Sequence, residues 1–229
     1  MHIVTALDME YSKLERVILD QQEELEGFRE GDYCLRKEES LIDLESNLAQ
    51  VVIGVRRSGK STLCINCLER NKVKYAYVNF DDERLLDITV EDMDSIVEML
   101  YKVYGEFTHL LLDEIQNIEG WYLFVNRMLR KKMHIVLTGS NSKLLSGELA
   151  SHLTGRHHQI ELLPFSFADF CAYNKIATSP LTTKNRGLLA SAFDRYIKEG
   201  GFPELMHEKD TKSYIDSLLD DIIRQDIKK

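Results

Sequence analysis

The chain has 229 residues, with 29 Lys and Arg against 38 Asp and Glu, a net charge of −9, and is 44% hydrophobic and 29% charged. These values suit one globular domain with a smaller appendage, and they exclude disorder as the main state and a surface basic enough to coat nucleic acid. No apolar run nears the roughly 18 residues of a membrane span, and Asp8, Glu10, Glu15 and Asp20 argue against a signal or transit peptide, so a cytoplasmic chain with reduced thiols is expected.

Residues 1–27 read as an amphipathic helix carrying Leu14, Val17, Ile18 and Leu25 and ending near Gly27. The pattern suits either a packing helix or a solvated arm. From residue 50, short apolar runs alternate with helical stretches. Gln50–Gly54, Tyr75–Phe80, His109–Asp113 and His134–Gly139 are expected strands, and Gln159–Leu163 is a weaker one. Helices are expected after Gly59, behind the capping-box spacing of Thr89 and Asp92, and after Gly120, where Trp121, Phe124, Val125, Met128 and Leu129 share a face. Such alternation implies an α/β fold, a parallel sheet with helices on both faces. Beyond Pro164 the pattern turns helical. Phe167 and Phe170 follow a Ser166/Asp169 cap, a loop is expected near Thr178–Asn185, and Gly200–Gly201 breaks the chain. A last helical stripe joins Tyr214, Ile215, Leu218, Leu219, Ile222 and Ile223. The expected division is an N-terminal helix or arm over 1–30, a core over 31–163 and a small helical lid over 164–229.

Gly54, Val55, Arg56, Arg57, Ser58, Gly59, Lys60 and Ser61 fit the pattern G-x-x-x-x-G-K-[ST] between a strand and a helix, with Thr62 next. Glycines let the backbone wrap phosphates, its N–H groups form an anion nest, and the helix N-terminus adds partial positive charge. Lys60 would reach the β- and γ-phosphates, and the Ser61 hydroxyl would bind Mg²⁺. The run His109–Glu114 puts Asp113 at the carboxyl edge of the sheet as a second Mg²⁺ ligand. Glu114, one residue on, is placed to orient or deprotonate a water.

The strand ending Thr138, Gly139, Ser140 and Asn141 would lie near the γ-phosphate, although loop chemistry alone also explains Gly139 and Asn141. Arg156 is either a surface arginine or a charge supplied across a subunit interface. Cys64 and Cys67 read as core thiols, His157 and His158 as structural, and Arg127, Arg130, Lys131 and Lys132 as a solvated helix end. No N-K-x-D-type guanine-reading loop occurs, which leaves adenine as the default base.

The chain resembles the AAA_14 family of AAA+-type P-loop ATPases, whose members commonly carry a C-terminal DUF4143 region. The resemblance rests on Val52–Leu63, Asn79–Leu85, Leu112–Asn117, Gly120–Trp121, Thr138–Ser142, Leu153–Arg156, Leu163–Phe167 and Gly200–Glu204, spread over residues 35–227. It implies an ASCE-type sheet, ATP or ADP with Mg²⁺, Glu114 as catalytic acid, Ser140 and Asn141 as sensors, and Arg156 as a trans arginine finger in a homo-oligomer. Family members are mostly longer, so the chain reads as a fragment or a short member. The expected activity is Mg²⁺-dependent ATP hydrolysis coupled to conformational change. The alternative is an ATP-gated switch with little turnover that regulates a protein or DNA partner. A small-molecule kinase fits less well, since no arginine-rich lid or acceptor site is visible.

Overall fold

The computed structural model describes residues 6–29, 33–140, 152–206 and 210–223. Five parallel strands form the sheet, β1 (Ala49–Gly54), β2 (Tyr75–Asn79), β3 (His109–Asp113), β4 (His134–Ser140) and β5 (His157–Glu161), in the spatial order β2-β3-β4-β1-β5. The first four match the expected runs to within a residue or so. The fifth starts two residues earlier than Gln159, because Ala49 pairs with His157 at the amino edge.

Alternation within each strand builds two apolar layers, as the two-residue period of a pleated strand requires. Val51, Ile53, Ala76, Val78, Leu110, Leu112, Ile135 and Leu137 point to one face. There they meet α3 (Met93–Tyr104) and α4 (Trp121–Arg130), which bury Ile96, Leu100, Phe124 and Val125. Val52, Tyr75, Tyr77, Leu111, Val136 and Ile160 point to the other face, against Leu63, Cys64, Cys67 and Leu68 of α2 (Lys60–Arg70). Cys64 and Cys67 are buried free thiols, as expected of core residues. The capping box forms, with the Thr89 amide and hydroxyl donating to Asp92 Oδ2 at 2.9 and 2.8 Å.

The first helix, α1 (Ala6–Arg29), is part of this core rather than an arm. Leu14, Val17 and Ile18 are buried against α3 and β2. It continues through Gly27, where an added Cβ would meet nothing within 4 Å. Its Gln21, only 1% exposed, serves the edge strand β2: the amide nitrogen donates to Asn79 O at 3.0 Å and the Asn79 amide donates back at 2.9 Å. A covered sheet edge cannot template pairing with another chain.

After β5 come α5 (Phe167–Tyr173), α6 (Thr183–Glu199), a 3-10 turn at Pro203–Met206 and α7 (Thr211–Ile222). The Ser166/Asp169 capping box is present. The loop expected through Asn185 is shorter, because Thr182 caps α6 by accepting the Asn185 amide at 3.2 Å. The strap from Gly200 to Met206 is tied back to the core: Phe165 N donates to Gly201 O at 2.6 Å, and Tyr196 donates to Phe165 O at 2.8 Å. No helix among the described residues is long and apolar enough to cross a membrane.

Candidate functional site

At the carboxyl edge of the sheet, β1 ends at Gly54 and gives way to a tight loop. A Cβ on Gly54 would stand 2.2 Å from Leu162 O and 2.8 Å from Ser58 Oγ, so a side chain there would drive strand and loop apart. Arg57 (φ 62°) and Gly59 (φ 91°) take the left-handed conformation that turns the loop into α2. Lys60, Ser61 and Thr62 open that helix, so their N–H groups lack intrahelical acceptors and face the loop.

Strand parity explains what assembles around the loop. Asp113 shares the α2 face with Leu111, and Tyr77 and Thr138 occupy that face on neighbouring strands. Ser61 Oγ accordingly donates to Asp113 Oδ1 at 2.9 Å, Thr138 Oγ1 donates to the same oxygen, and Tyr77 donates to Oδ2 at 3.2 Å. Burial pushes the Asp113 carboxyl above its ordinary range, the Thr138 hydrogen bond opposes that, and the Glu114 charge adds to it. Burial also raises the Tyr77 phenol, so it stays a donor.

Glu114 leaves β3 in a left-handed conformation (φ 52°, ψ 38°), fixed by its amide donating to Thr138 Oγ1 at 3.0 Å. Its Oε1 lies 3.5 Å from Lys60 Nζ, its Oε2 accepts from Gln116, and Lys60 Nζ also donates to Val55 O at 3.3 Å. Ser140 ends β4 paired with Gly54 and is buried. Asn141 and Ser142 lie outside the described residues.

These groups border a cavity of about 460 Å³ whose lining includes Arg56, Arg57, Gly59 to Thr62, Asn79, Asp81, Asp113 and Glu114, with Pro203, Glu204 and Leu218 from the C-terminal segment. Its chemistry suits a polyphosphate with a hard cation. Arg56 Nε is buried with no hydrogen-bond partner among the described residues, a donor able to take a ligand acceptor. The Ser61 hydroxyl and Asp113 carboxylate offer adjacent oxygens of the type Mg²⁺ prefers. A second cavity of about 370 Å³ adjoins it at Gly59, Thr62, Pro203 and Glu204, and presents Phe28, Tyr33, Phe165 and Tyr173.

Arg156 is elsewhere. Its carbonyl accepts the Ala49 amide at 3.0 Å, which puts it at the amino edge of the sheet. The five steps along β1 from Ala49 to Gly54, at about 3.3 Å each, separate it from Gly54 by roughly 16 Å. It lines a separate cavity with Arg127 and Arg130, and Arg127 is paired with Asp94 at 2.7 Å. Thr138 lies near the phosphate end of the site as expected from the sequence, and its hydrogen bonds to Asp113 and Glu114 add an organising role. Tyr77 and Glu204 were not expected there, although the alternation of β2 pointed to the first. Nothing local pointed to Glu204, which reaches the site through tertiary folding.

A family model described as AAA domain, AAA_14, matches residues 46–171. The chain is 33% identical over 191 residues to an uncharacterized protein of Methanocaldococcus jannaschii, a match covering 81% of this chain and 43% of that one. It is 32% identical over 194 residues to an uncharacterized protein of Haemophilus influenzae, with 80% and 47% covered. The chain thus spans about half the length of the curated relatives it matches. Among solved structures, S. cerevisiae Hsp104 in its complex with casein matches with a TM-score of 0.55 at 16% identity, over 89% of this chain and 41% of that one. That likeness is one of fold. With the parallel sheet and the loop between β1 and α2, it identifies an α/β P-loop NTPase.

Proposed function

Because the chain belongs to the AAA_14 family of AAA domains, we propose that it binds ATP with Mg²⁺ in the cavity above β1, β3 and β4 and hydrolyses it to ADP and phosphate. The observation that carries this reading is the single cluster of Lys60, Ser61, Asp113 and Glu114, with Ser61 Oγ 2.9 Å from Asp113 and Glu114 3.5 Å from Lys60. The amides of the loop and of the first turn of α2 hold the phosphates, joined by Arg56 Nε. Lys60 turns from Glu114 to the phosphate oxygens, which leaves the Glu114 carboxylate to accept a proton from an attacking water. Mg²⁺ on Ser61 and Asp113 supplies neutralisation of phosphate charge. Ser140, beside Gly54, reads the γ-phosphate end of the site, as does Asn141 in the family resemblance. The aromatic side chains of the adjoining cavity take the base.

Arg156 stands too far from its own loop to serve it, which supports a role towards the nucleotide of a second copy in a homo-oligomer. The four free thiols suit a reducing compartment, and the cytoplasm is part of this reading. A second reading, an ATP-gated switch acting on a protein or DNA partner, draws on a different contact. Glu204 pairs with Arg57 of the loop at 3.2 Å, and Tyr214 donates to Glu204, so the C-terminal segment is mechanically tied to the phosphate site.

Calorimetric ATP binding and phosphate release on the wild type, Lys60→Ala and Glu114→Gln test the proposal. Glu114→Gln should keep ATP affinity and lose turnover by roughly 10²–10⁴-fold, the usual worth of a positioned base. Lys60→Ala should weaken binding. Unchanged turnover in Glu114→Gln would remove the assigned base, and wild-type binding with negligible turnover would favour the switch.

A further inference from the structure

Glu204 stands where the two cavities meet, since it lines both, together with Phe28, Gly59, Thr62 and Pro203. Its carboxylate is held in place. Oε2 accepts from Arg57 Nη1 at 3.2 Å and from the Tyr214 hydroxyl, and the Arg57 guanidinium lies 5.1 Å from the centre of the Tyr214 ring. Burial, followed by the effects of Arg57 and Glu204, leaves the Tyr214 phenol raised to about 12, so it remains a donor at neutral pH. Oε1 makes no hydrogen bond among the described residues.

The backbone beneath is fixed as well. Pro203 Cγ lies 3.7 Å from where a Cβ would stand on Gly59, and Gly201 packs against the Phe165 main chain. The Arg57–Glu204 pair is half exposed, so its own contribution to stability is small. That makes an orienting role for the pair the more informative reading.

A nucleotide with its phosphates on the loop and its base among the aromatic side chains must lay its sugar across this junction. Phosphate oxygens would be repelled by a carboxylate, which only accepts hydrogen bonds. The sugar hydroxyls are donors, and a carboxylate binds them with the added strength of charge. We propose that Glu204 reads the ribose, accepting hydrogen bonds on Oε1 from the vicinal hydroxyls, and that the site thereby selects ribonucleotides over their deoxy counterparts. Arg57 and Tyr214 are positioning residues that aim the carboxylate. This inference rests on the nucleotide reading of the site.

Calorimetric titration of the full chain with ATP, 2′-deoxyATP and 3′-deoxyATP, each with Mg²⁺, provides the test, because the affinity ratio within one variant is independent of how much of it folds. The wild type should bind ATP roughly ten- to a hundredfold more tightly than at least one deoxy analogue, the usual worth of a hydrogen bond to a charged group. Glu204→Ala should bring all three within about twofold, and Tyr214→Phe should give an intermediate ratio. Equal affinities in the wild type, or a ratio that survives Glu204→Ala, would overturn the ribose assignment and leave nucleotide binding intact. Failure of all three nucleotides to bind would overturn both.

Discussion

One methyl group placed at two glycines of the C-terminal segment should act in opposite directions. A Cβ at Gly201 would stand 2.2 Å from the Phe165 carbonyl oxygen and 3.2 and 3.3 Å from that residue's carbonyl carbon and nitrogen. Ordinary C···O contact begins near about 3.3 Å, so the strap would have to retreat by roughly 1 Å. The Phe165 N to Gly201 O hydrogen bond, at 2.6 Å, would not survive that shift. Its loss costs about 1–3 kcal/mol, and overpacking strain adds about 1–3 kcal/mol, so Gly201→Ala should destabilise by about 2–6 kcal/mol. At Gly187, inside α6, an added Cβ meets nothing within 4 Å. Alanine there should stabilise by about 0.5–1 kcal/mol through helix propensity. Urea unfolding followed by circular dichroism measures both, and amide exchange over residues 200–206 reports whether the strap alone lets go. A Gly201→Ala protein within about 0.5 kcal/mol of wild type, with unchanged exchange, would refute the packing of the strap against Phe165.

Two pH dependences follow from groups outside the cavity. Hydrogen bonds from the Arg84 side chain, at 2.9 Å from Nε and 2.8 Å from Nη2, hold the Asp82 carboxyl down at about 2. Because the folded value lies below the unfolded one, this stabilisation is complete above about pH 4 and is lost as pH falls toward about 2. Arg84 is 32% exposed, so the contribution is about 1–2 kcal/mol, and Arg84→Met should flatten acid unfolding in that window. Burial depresses the His109 imidazole below its usual value, with its hydrogen bond to Leu44 O at 3.0 Å opposing this. The unfolded chain then takes up a proton that the native state refuses. Stability should be full above about pH 6.5 and fall below it, and melting curves of His109→Phe should lose that slope.

The strand-loop-helix unit at Gly54–Ser61 was legible because its glycines and lysine answer one local demand, a backbone wrapped around an anion. The sheet was legible from strands whose two faces are both apolar. Gln21 was not, since a glutamine on an acidic helix looks solvent-bound until α1 is seen to cover the edge of β2. Thr138 was expected near the γ-phosphate, but its bond to Asp113 follows only from the register that sets the two on one face of neighbouring strands. Glu204 is some 150 residues from the loop it touches, and no periodicity reports such a contact. The end of α1 shows the limit of glycine as punctuation: Gly27 is passed because packing of Leu25 outweighs a propensity cost of about 1 kcal/mol.

The proposed function has two parts, ATP hydrolysis at the Lys60–Glu114 cluster and completion of a neighbouring copy's site by Arg156. ATP turnover per protomer, measured with Mg²⁺ over a wide range of protein concentration, addresses both parts. The rate should climb with concentration and fall by roughly 10³–10⁵-fold in Arg156→Ala. Mixing Arg156→Ala with Glu114→Gln should restore part of it, since each protomer supplies what the other lacks. A rate that is negligible at every concentration, or one that Arg156→Ala leaves unchanged, would contradict the proposal.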